Sequence, residues 1–205
     1  DNMRNPVPTW YFKGYYLQYI DGIPFKLKSA FDFSFMKEYG TVFKVYDDQD
    51  SGNICFGTEK DGQRYFVKFA GAPTEQFGGD PADAISRLKA TLPIYSDLKH
   101  KNLIELIEAK EIGDGFAMVF KWADSDCMGR MYPAAHRRFM QLPINDRLAV
   151  FSDILSFLEC VASRKYVAID FYDGSIMYDF ANGKTTICDI DLFHKQPCVN
   201  DMGRM

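Results

Sequence analysis

The sequence predicts a mixed α+β fold, and two kinds of segment carry that prediction. Short apolar or β-branched runs next to turn residues indicate strands, as in residues 53–58 before the turn Lys60-Asp61-Gly62-Gln63. A long helix is indicated over residues 146–163, where apolar residues recur at helical spacing after the capping residue Asn145. With 47% hydrophobic and 16% aromatic residues, the chain can bury a sizeable core.

The first half of the chain is organised around turn and cap signals. An Asp21-Gly22 turn between residues 15–20 and 25–27 predicts an N-terminal hairpin, whereas residues 30–39 fit helix and strand equally. Asp80-Pro81 predicts a helix start, because aspartate caps well and proline fits the first position, and Pro93 is expected to interrupt this helix. Further strands are expected over residues 41–46, 64–69, 106–112 and 116–122.

The second half ends in a hairpin flanked by two acidic loops. A helix is expected over residues 133–140, and Ala181-Asn182-Gly183 predicts a tight turn between strands at 175–180 and 184–188. Asp170 precedes the first strand, and Asp189 and Asp191 follow the second. Because a hairpin brings its two ends together, these carboxylates are expected to converge. Converging carboxylates repel each other unless a cation lies between them.

Composition excludes several classes of function. A net charge of −4 gives no basic surface for nucleic acid, and no run of about 18 apolar residues predicts a membrane helix. Residues 1–8 lack a signal-peptide pattern, so a soluble cytoplasmic protein is expected. The five cysteines suggest neither a disulfide framework nor a metal site, and the scattered histidines give little support for a metal site or a Ser-His-Asp triad. These residues are Cys55, Cys127, Cys160, Cys188, Cys198, His100, His136 and His194.

The order of these segments resembles the catalytic core of the protein kinase and aminoglycoside phosphotransferase superfamily. The similar features are Lys68 on a strand after a turn, the run Leu98-Lys99-His100-Lys101-Asn102-Leu103-Ile104, and the two acidic loops around a hairpin. They occur in family order over residues 40–193, and the nearest resemblance is to a divergent bacterial-type serine/threonine protein kinase. It implies an N-terminal extension (1–40), an antiparallel β small lobe (41–123) and a partial helical large lobe (124–205) ending in the activation segment.

The resemblance also implies a site for ATP and Mg²⁺. Lys68 would bind the ATP phosphates, and Asp170 would orient the hydroxyl group that accepts the γ-phosphate. That acceptor would be a protein or a small molecule, with a protein serine/threonine kinase slightly favoured, although Asp-Ile-Asp at 189–191 is closer to the small-molecule phosphotransferases. The implied Mg²⁺ ligands are Asp189, Ser175 and Asp191. The implied nucleotide contacts are Gly52 and Lys68 and, near a hinge at residues 121–124, Phe120, Lys121, Trp122 and Ala123.

Four departures from the family pattern favour an alternative, a pseudokinase that binds nucleotide or acts as a scaffold without turnover. The loop at residues 47–52 has one glycine and three carboxylates. Thr91 stands where the family has a helix glutamate, which Glu75 or Asp97 would have to replace. Ala168-Ile169 replaces the usual His-Arg, and Ser175 replaces a metal-binding asparagine.

Two segments of the second half carry alternative interpretations. The apolar stripe of the helix at 146–163 is covered by later helices in the resembling family, so the chain is expected to be a fragment or to self-associate, or another subunit or the N-terminal extension at residues 10–28 is expected to cover the stripe. Three arginines after the hinge either lie on the solvated face of a helix or contact an acidic partner. The residues of this mixed segment are Arg130, Arg137, Arg138, Met128, Met131 and Met140.

Overall fold

The computed structural model describes residues 10–12 and 14–200 and is an α+β protein built on antiparallel sheets. This confirms the mixed class expected from the sequence. The chain divides into two compact units. Of the described residues, the first holds 10–12, 14–90 and 105–122, and the second holds 91–104 and 123–200. The run at 98–104 therefore packs with the second unit.

The first unit contains two antiparallel sheets and helix α1. The strand order is β1-β2-β3 in the smaller sheet and β4-β5-β6-β8-β7 in the larger one. Asp21 and Gly22 both have positive φ, as do Asp61 and Gly62, which is the geometry of a tight two-residue hairpin turn. The elements are β1 (Trp10–Phe12), β2 (Tyr15–Ile20), β3 (Ile23–Leu27), β4 (Thr41–Tyr46), β5 (Asn53–Lys60), β6 (Gln63–Ala70), α1 (Pro81–Ala90), β7 (Leu106–Ile112) and β8 (Gly115–Lys121).

An aromatic core lies on one face of the five-stranded sheet. The segment at 30–39, ambiguous in sequence, contains a 3₁₀ helix over Ser34–Tyr39 and contributes Phe33 and Met36 to this core. Phe33 is 4% exposed, and its ring contacts five other phenylalanines at centroid distances of 4.8–6.1 Å. The N-terminal hairpin adds Phe25 and Leu27. The N-terminal segment and the sheet thus share one hydrophobic core.

The second unit combines two small sheets with three helices among its described residues. Strand order is β12-β11-β9 in one sheet, and β10 pairs with β13 in the other. Phe157 on α4 is fully buried and packs against Phe171, Phe193 and the ring of His100. The elements are α2 (Leu92–Asp97), β9 (Asp126–Cys127), α3 (Pro133–Met140), α4 (Ile144–Ser163), β10 (Tyr166–Val167), β11 (Ile176–Asp179), β12 (Lys184–Ile187) and β13 (His194–Lys195).

Some expected boundaries differ from the structure. Helix α4 begins at Ile144 rather than Asp146, because the carbonyl of Pro143, not Asn145, accepts the first N–H groups from Asp146 and Arg147. Helix α1 ends at Ala90 as expected, and Pro93 lies in the first turn of the next helix, α2, where a missing N–H costs nothing. Ser175 belongs to a 3₁₀ turn over Asp173–Ser175 and not to β11.

Part of α4 presents apolar side chains to solvent. Ile144, Leu148, Phe151 and Leu155 follow one another at intervals of four and three residues and are 48–64% exposed. The covering of this stripe by a second copy stays a prediction. None of the helices in the described part of the chain combines the length and apolar character needed to cross a membrane.

Candidate functional site

The hairpin β11–β12 holds the two acidic loops beside each other. Ile176 pairs with Ile187, and one step further the N–H of Cys188 donates to the carbonyl of Ser175 at 2.9 Å. At the other end the carboxylate of Asp179 accepts hydrogen bonds from the N–H groups of Ala181 and Asn182. The register therefore fixes the residues before β11 against those after β12.

Asp170 and Asp189 have an uncommon backbone conformation. Their φ angles are 58° and 55°, in the left-handed region that few residues other than glycine adopt, although aspartate adopts it more readily than most. Both side chains are exposed. Strained backbone of this kind is often found at functional sites, and here it occurs at one aspartate in each acidic loop.

Carboxylates of both acidic loops raise the pKa of the same phenol, that of Tyr172. Burial raises the pKa of Tyr172, and the negative charges of Asp189 and then Asp170 raise it further. Burial also raises the pKa of the Cys127 thiol, with smaller effects in the same direction from Asp173 and Asp189. The second unit thus brings Asp170, Asp173 and Asp189 within electrostatic range of Tyr172.

Ser175 has an unsatisfied hydroxyl next to these carboxylates in the chain. Its side chain is fully buried, and Oγ has no hydrogen-bond partner among the described residues. A buried hydroxyl without a partner is costly unless an ion, a water or a ligand satisfies it. Ser175 can therefore serve as a ligand to a cation, as the sequence predicts, although its full burial limits access.

Asp191, the third expected metal ligand, is held by α2. The hydroxyl of Tyr95, which is 3% exposed, donates a hydrogen bond to Asp191 Oδ1 at 3.1 Å. Throughout residues 14–200, no group of three or more His, Cys, Asp or Glu side chains is arranged to hold a metal ion. Mg²⁺, however, is commonly bound by one or two carboxylates together with the phosphates of a substrate. The role of Asp189 and Ser175 as Mg²⁺ ligands stays a prediction.

Lys68 lies on the face of the large sheet opposite the aromatic core. Strand alternation puts its neighbours Val67 and Phe69 into that core, so Lys68 points to the other side. In the ladder Lys68 pairs with Cys55 on β5 and Met118 on β8, and both of these residues are buried. A half-buried lysine flanked by apolar strands supplies a fixed positive charge on this face.

Gly52, a predicted nucleotide contact, packs closely against α1. It is buried with φ of 85°, and a Cβ there would lie 2.7 Å from Ala84 on α1 and 2.8 Å from the ring of Phe77. Nearby, Asp47 accepts a hydrogen bond from the N–H of Lys26 at 2.7 Å. Gly52 is required for the close approach of α1, and at least one loop carboxylate binds the N-terminal hairpin.

The remaining predicted nucleotide contacts lie where β8 ends. Phe120 is 2% exposed, and the N–H of Lys121 donates to Glu105 O at 2.9 Å. The N–H of Trp122 donates to Arg64 O, and its ring packs on Phe43 at 5.0 Å. Ala123 begins the second unit, and its carbonyl accepts a hydrogen bond from Ser125.

The expected substitutes for a helix glutamate do not lie on α1. That helix contains Asp83 but no glutamate, and Thr91 is a buried residue at the N-cap of α2. Asp97 accepts a hydrogen bond from the hydroxyl of Tyr166 at 2.7 Å and forms an ion pair with Lys195. The hydrogen bond from Tyr166 is the main cause of the lowered pKa of Asp97. Asp97 thus stabilises the second unit, and Glu75 lies before α1.

Tyr172 and Tyr95 are site residues that sequence reasoning missed. Tyr172 stands between Asp170 and Asp173 in the chain, so an aromatic residue inside an acidic loop was the available signal.

Comparison of the chain with known family models gave no match, and comparison with curated proteins gave none either.

Proposed function

We propose that this chain is an ATP-dependent phosphotransferase with a protein kinase-like fold, acting on a hydroxyl acceptor. The observation that carries the proposal is the pair of left-handed aspartates, Asp170 and Asp189, at the two ends of one hairpin and acting on the same phenol. Strained carboxylates held together in this way suit a reaction that moves a highly charged group. The family resemblance adds the identity of the transferred group, the γ-phosphate of ATP.

Each residue has a role set by charge and position. Phosphoryl transfer is accelerated mainly by positioning and by neutralising the charge of the phosphates. Asp170 is proposed to orient the acceptor hydroxyl and accept its proton, and Lys68 to bind phosphate oxygens. Asp189 and Ser175 would hold Mg²⁺, which neutralises the phosphate charge when bound. Asp191, held by Tyr95, is proposed to keep the second loop in place.

A second candidate function, nucleotide binding without turnover, is favoured by the first unit. Gly52 is packed against α1, so its backbone is less free to approach a phosphate. Helix α1 contains no glutamate, the residue that the resembling family has on this helix. Both features favour weaker binding of the ATP phosphates by the first unit. They do not involve the acidic loops of the second unit.

Thermal unfolding of the full chain with ATP, with and without Mg²⁺, tests nucleotide binding. A ligand that binds only the folded state stabilises it by mass action, so ATP at about 100 times its Kd is expected to raise the midpoint by roughly 5 °C. The rise should require Mg²⁺, because the acidic loops repel uncomplexed phosphates. GTP is the control for recognition of the base, and ADP is the control for the number of phosphates. An unchanged midpoint with Mg²⁺-ATP would exclude both candidate functions.

A further inference from the structure

The ring of Tyr172 packs directly on Gly174, where a larger residue would clash with it. A Cβ on Gly174 would lie 2.4–2.7 Å from Cε2, Cζ and the hydroxyl oxygen of Tyr172, so the phenol rests directly on the glycine. On its other side Gly174 is close to Gly129, and the carbonyl of Gly174 accepts a hydrogen bond from the Cys127 thiol. The 3₁₀ turn is closed by the Ser175 N–H, which donates to Tyr172 O at 3.0 Å. The ring is therefore positioned by close packing and by its own turn.

The hydroxyl of Tyr172 is available to a ligand. The side chain is 45% exposed, and no hydrogen bond from its hydroxyl to another described residue is found. A tyrosine hydroxyl is protonated at neutral pH, so the phenol can donate a hydrogen bond.

An acidic loop that handles phosphate needs donors as well as a cation. Asp170, Asp173 and Asp189 all repel an anion, and carboxylates can accept but not donate hydrogen bonds when ionised. Arg130 has its Nε 3.7 Å from Asp173 Oδ2, but its side chain is 93% exposed and pairs at the edge of the loop. Tyr172 supplies an exposed neutral donor within electrostatic range of these carboxylates.

We propose that Tyr172 donates a hydrogen bond to the terminal phosphoryl group of the nucleotide and so distinguishes ATP from ADP. The proposal rests on the proposed phosphotransferase function and adds a residue that contacts the transferred group. A hydroxyl supplies this contact without a positive charge that would compete with Mg²⁺ for Asp189. The bond exists only when the terminal phosphate is present, so its loss should not affect ADP.

Tyr172→Phe is the primary test, because it removes the hydroxyl and keeps the ring on Gly174. Calorimetric titration of the full chain with Mg²⁺-ATP and with Mg²⁺-ADP should show about tenfold weaker ATP binding and ADP binding unchanged within twofold. Tyr19→Phe is the matched control, because Tyr19 is an exposed tyrosine, 38% accessible, on β2 of the other unit. It should leave both affinities unchanged.

Gly174→Ala provides a second test that keeps the hydroxyl but moves it. The added Cβ forces the phenol from its packed position, so the same selective loss of ATP affinity is expected. In the double variant the two losses should not add, because they remove one interaction. Unfolding midpoints of all variants show whether they are folded.

Two results would overturn the proposal. Equal affinities of wild type and Tyr172→Phe for ATP would show that the hydroxyl makes no contact with the terminal phosphate. Equal losses for ATP and ADP would show that the tyrosine only supports the loop. If the wild-type chain binds neither nucleotide, the phosphotransferase function fails and the role of Tyr172 fails with it. Binding of both nucleotides with no difference at Tyr172 contradicts this role alone.

Discussion

Asp170→Asn is expected to lower the rate of phosphoryl transfer by about 10²–10⁴-fold while leaving the fold intact, because a positioned general base contributes that much. The substitution keeps the size of the side chain and removes its ability to accept the acceptor's proton. The exposed side chain of Asp170 makes its loss inexpensive for stability. Single-turnover measurements of γ-phosphate release or transfer would give the rate, with unfolding midpoints as a check on folding.

Asp173→Asn is the matched control for Asp170. Asp173 lies in the same loop, and its negative charge also raises the pKa of Tyr172. The substitution removes one negative charge, as Asp170→Asn does. The carboxylate of Asp173 is paired with Arg130, so we expect less than about tenfold loss of rate. Comparable losses in both variants would mean that the loop acts through its total charge and that Asp170 is not a specific base.

Phe33→Ala is expected to destabilise the first unit by about 3–5 kcal/mol, the usual cost of deleting a buried phenylalanine side chain. Phe33 is 4% exposed and joins the N-terminal segment to the sheet through Phe25, Phe56 and Phe69. Denaturant unfolding should show a lower midpoint for the transition in which the first unit unfolds.

Phe151→Ala is the control for this change. It removes the same atoms from a side chain that is 57% exposed on α4, so about 0.5 kcal/mol or less is expected at protein concentrations where the chain is a monomer. Were Phe33→Ala no more costly than Phe151→Ala, the N-terminal segment would not be part of the core. The residues before β4 would then be a dispensable extension.

Local chemistry made much of the fold predictable. The Asp21-Gly22 and Asp61-Gly62 pairs specify hairpin turns because both positions need positive φ, and the structure has both. Residues 30–39 were ambiguous because Phe31, Phe33 and Phe35 alternate like a strand. Their 3₁₀ and irregular conformation depends on packing against β5 and β6, which no local pattern contains.

The site was predictable only in part. That the two acidic loops lie at the same end of the hairpin follows from its pairing alone, since the ends of a hairpin must meet. The hydrogen bond from Tyr95 to Asp191 joins residues 96 positions apart, and the packing of Gly52 against Ala84 joins a loop to a later helix. Contacts of this kind depend on tertiary structure, so sequence spacing could not assign Asp191 a supporting role or Gly52 a packing role.

The affinity for ATP as a function of Mg²⁺, measured by calorimetry in Asp189→Asn and Asp170→Asn, tests the central claim most directly. Asp146→Asn, at an exposed position in the first turn of α4, is the control for the loss of one charge. Asp189 is proposed to hold Mg²⁺, so Asp189→Asn should weaken Mg²⁺-ATP binding by about tenfold or more, the effect of losing roughly 1.4 kcal/mol. Asp170→Asn and Asp146→Asn should stay within about twofold of wild type. Equal losses at Asp189 and Asp170, or ATP binding that does not depend on Mg²⁺, would contradict the account.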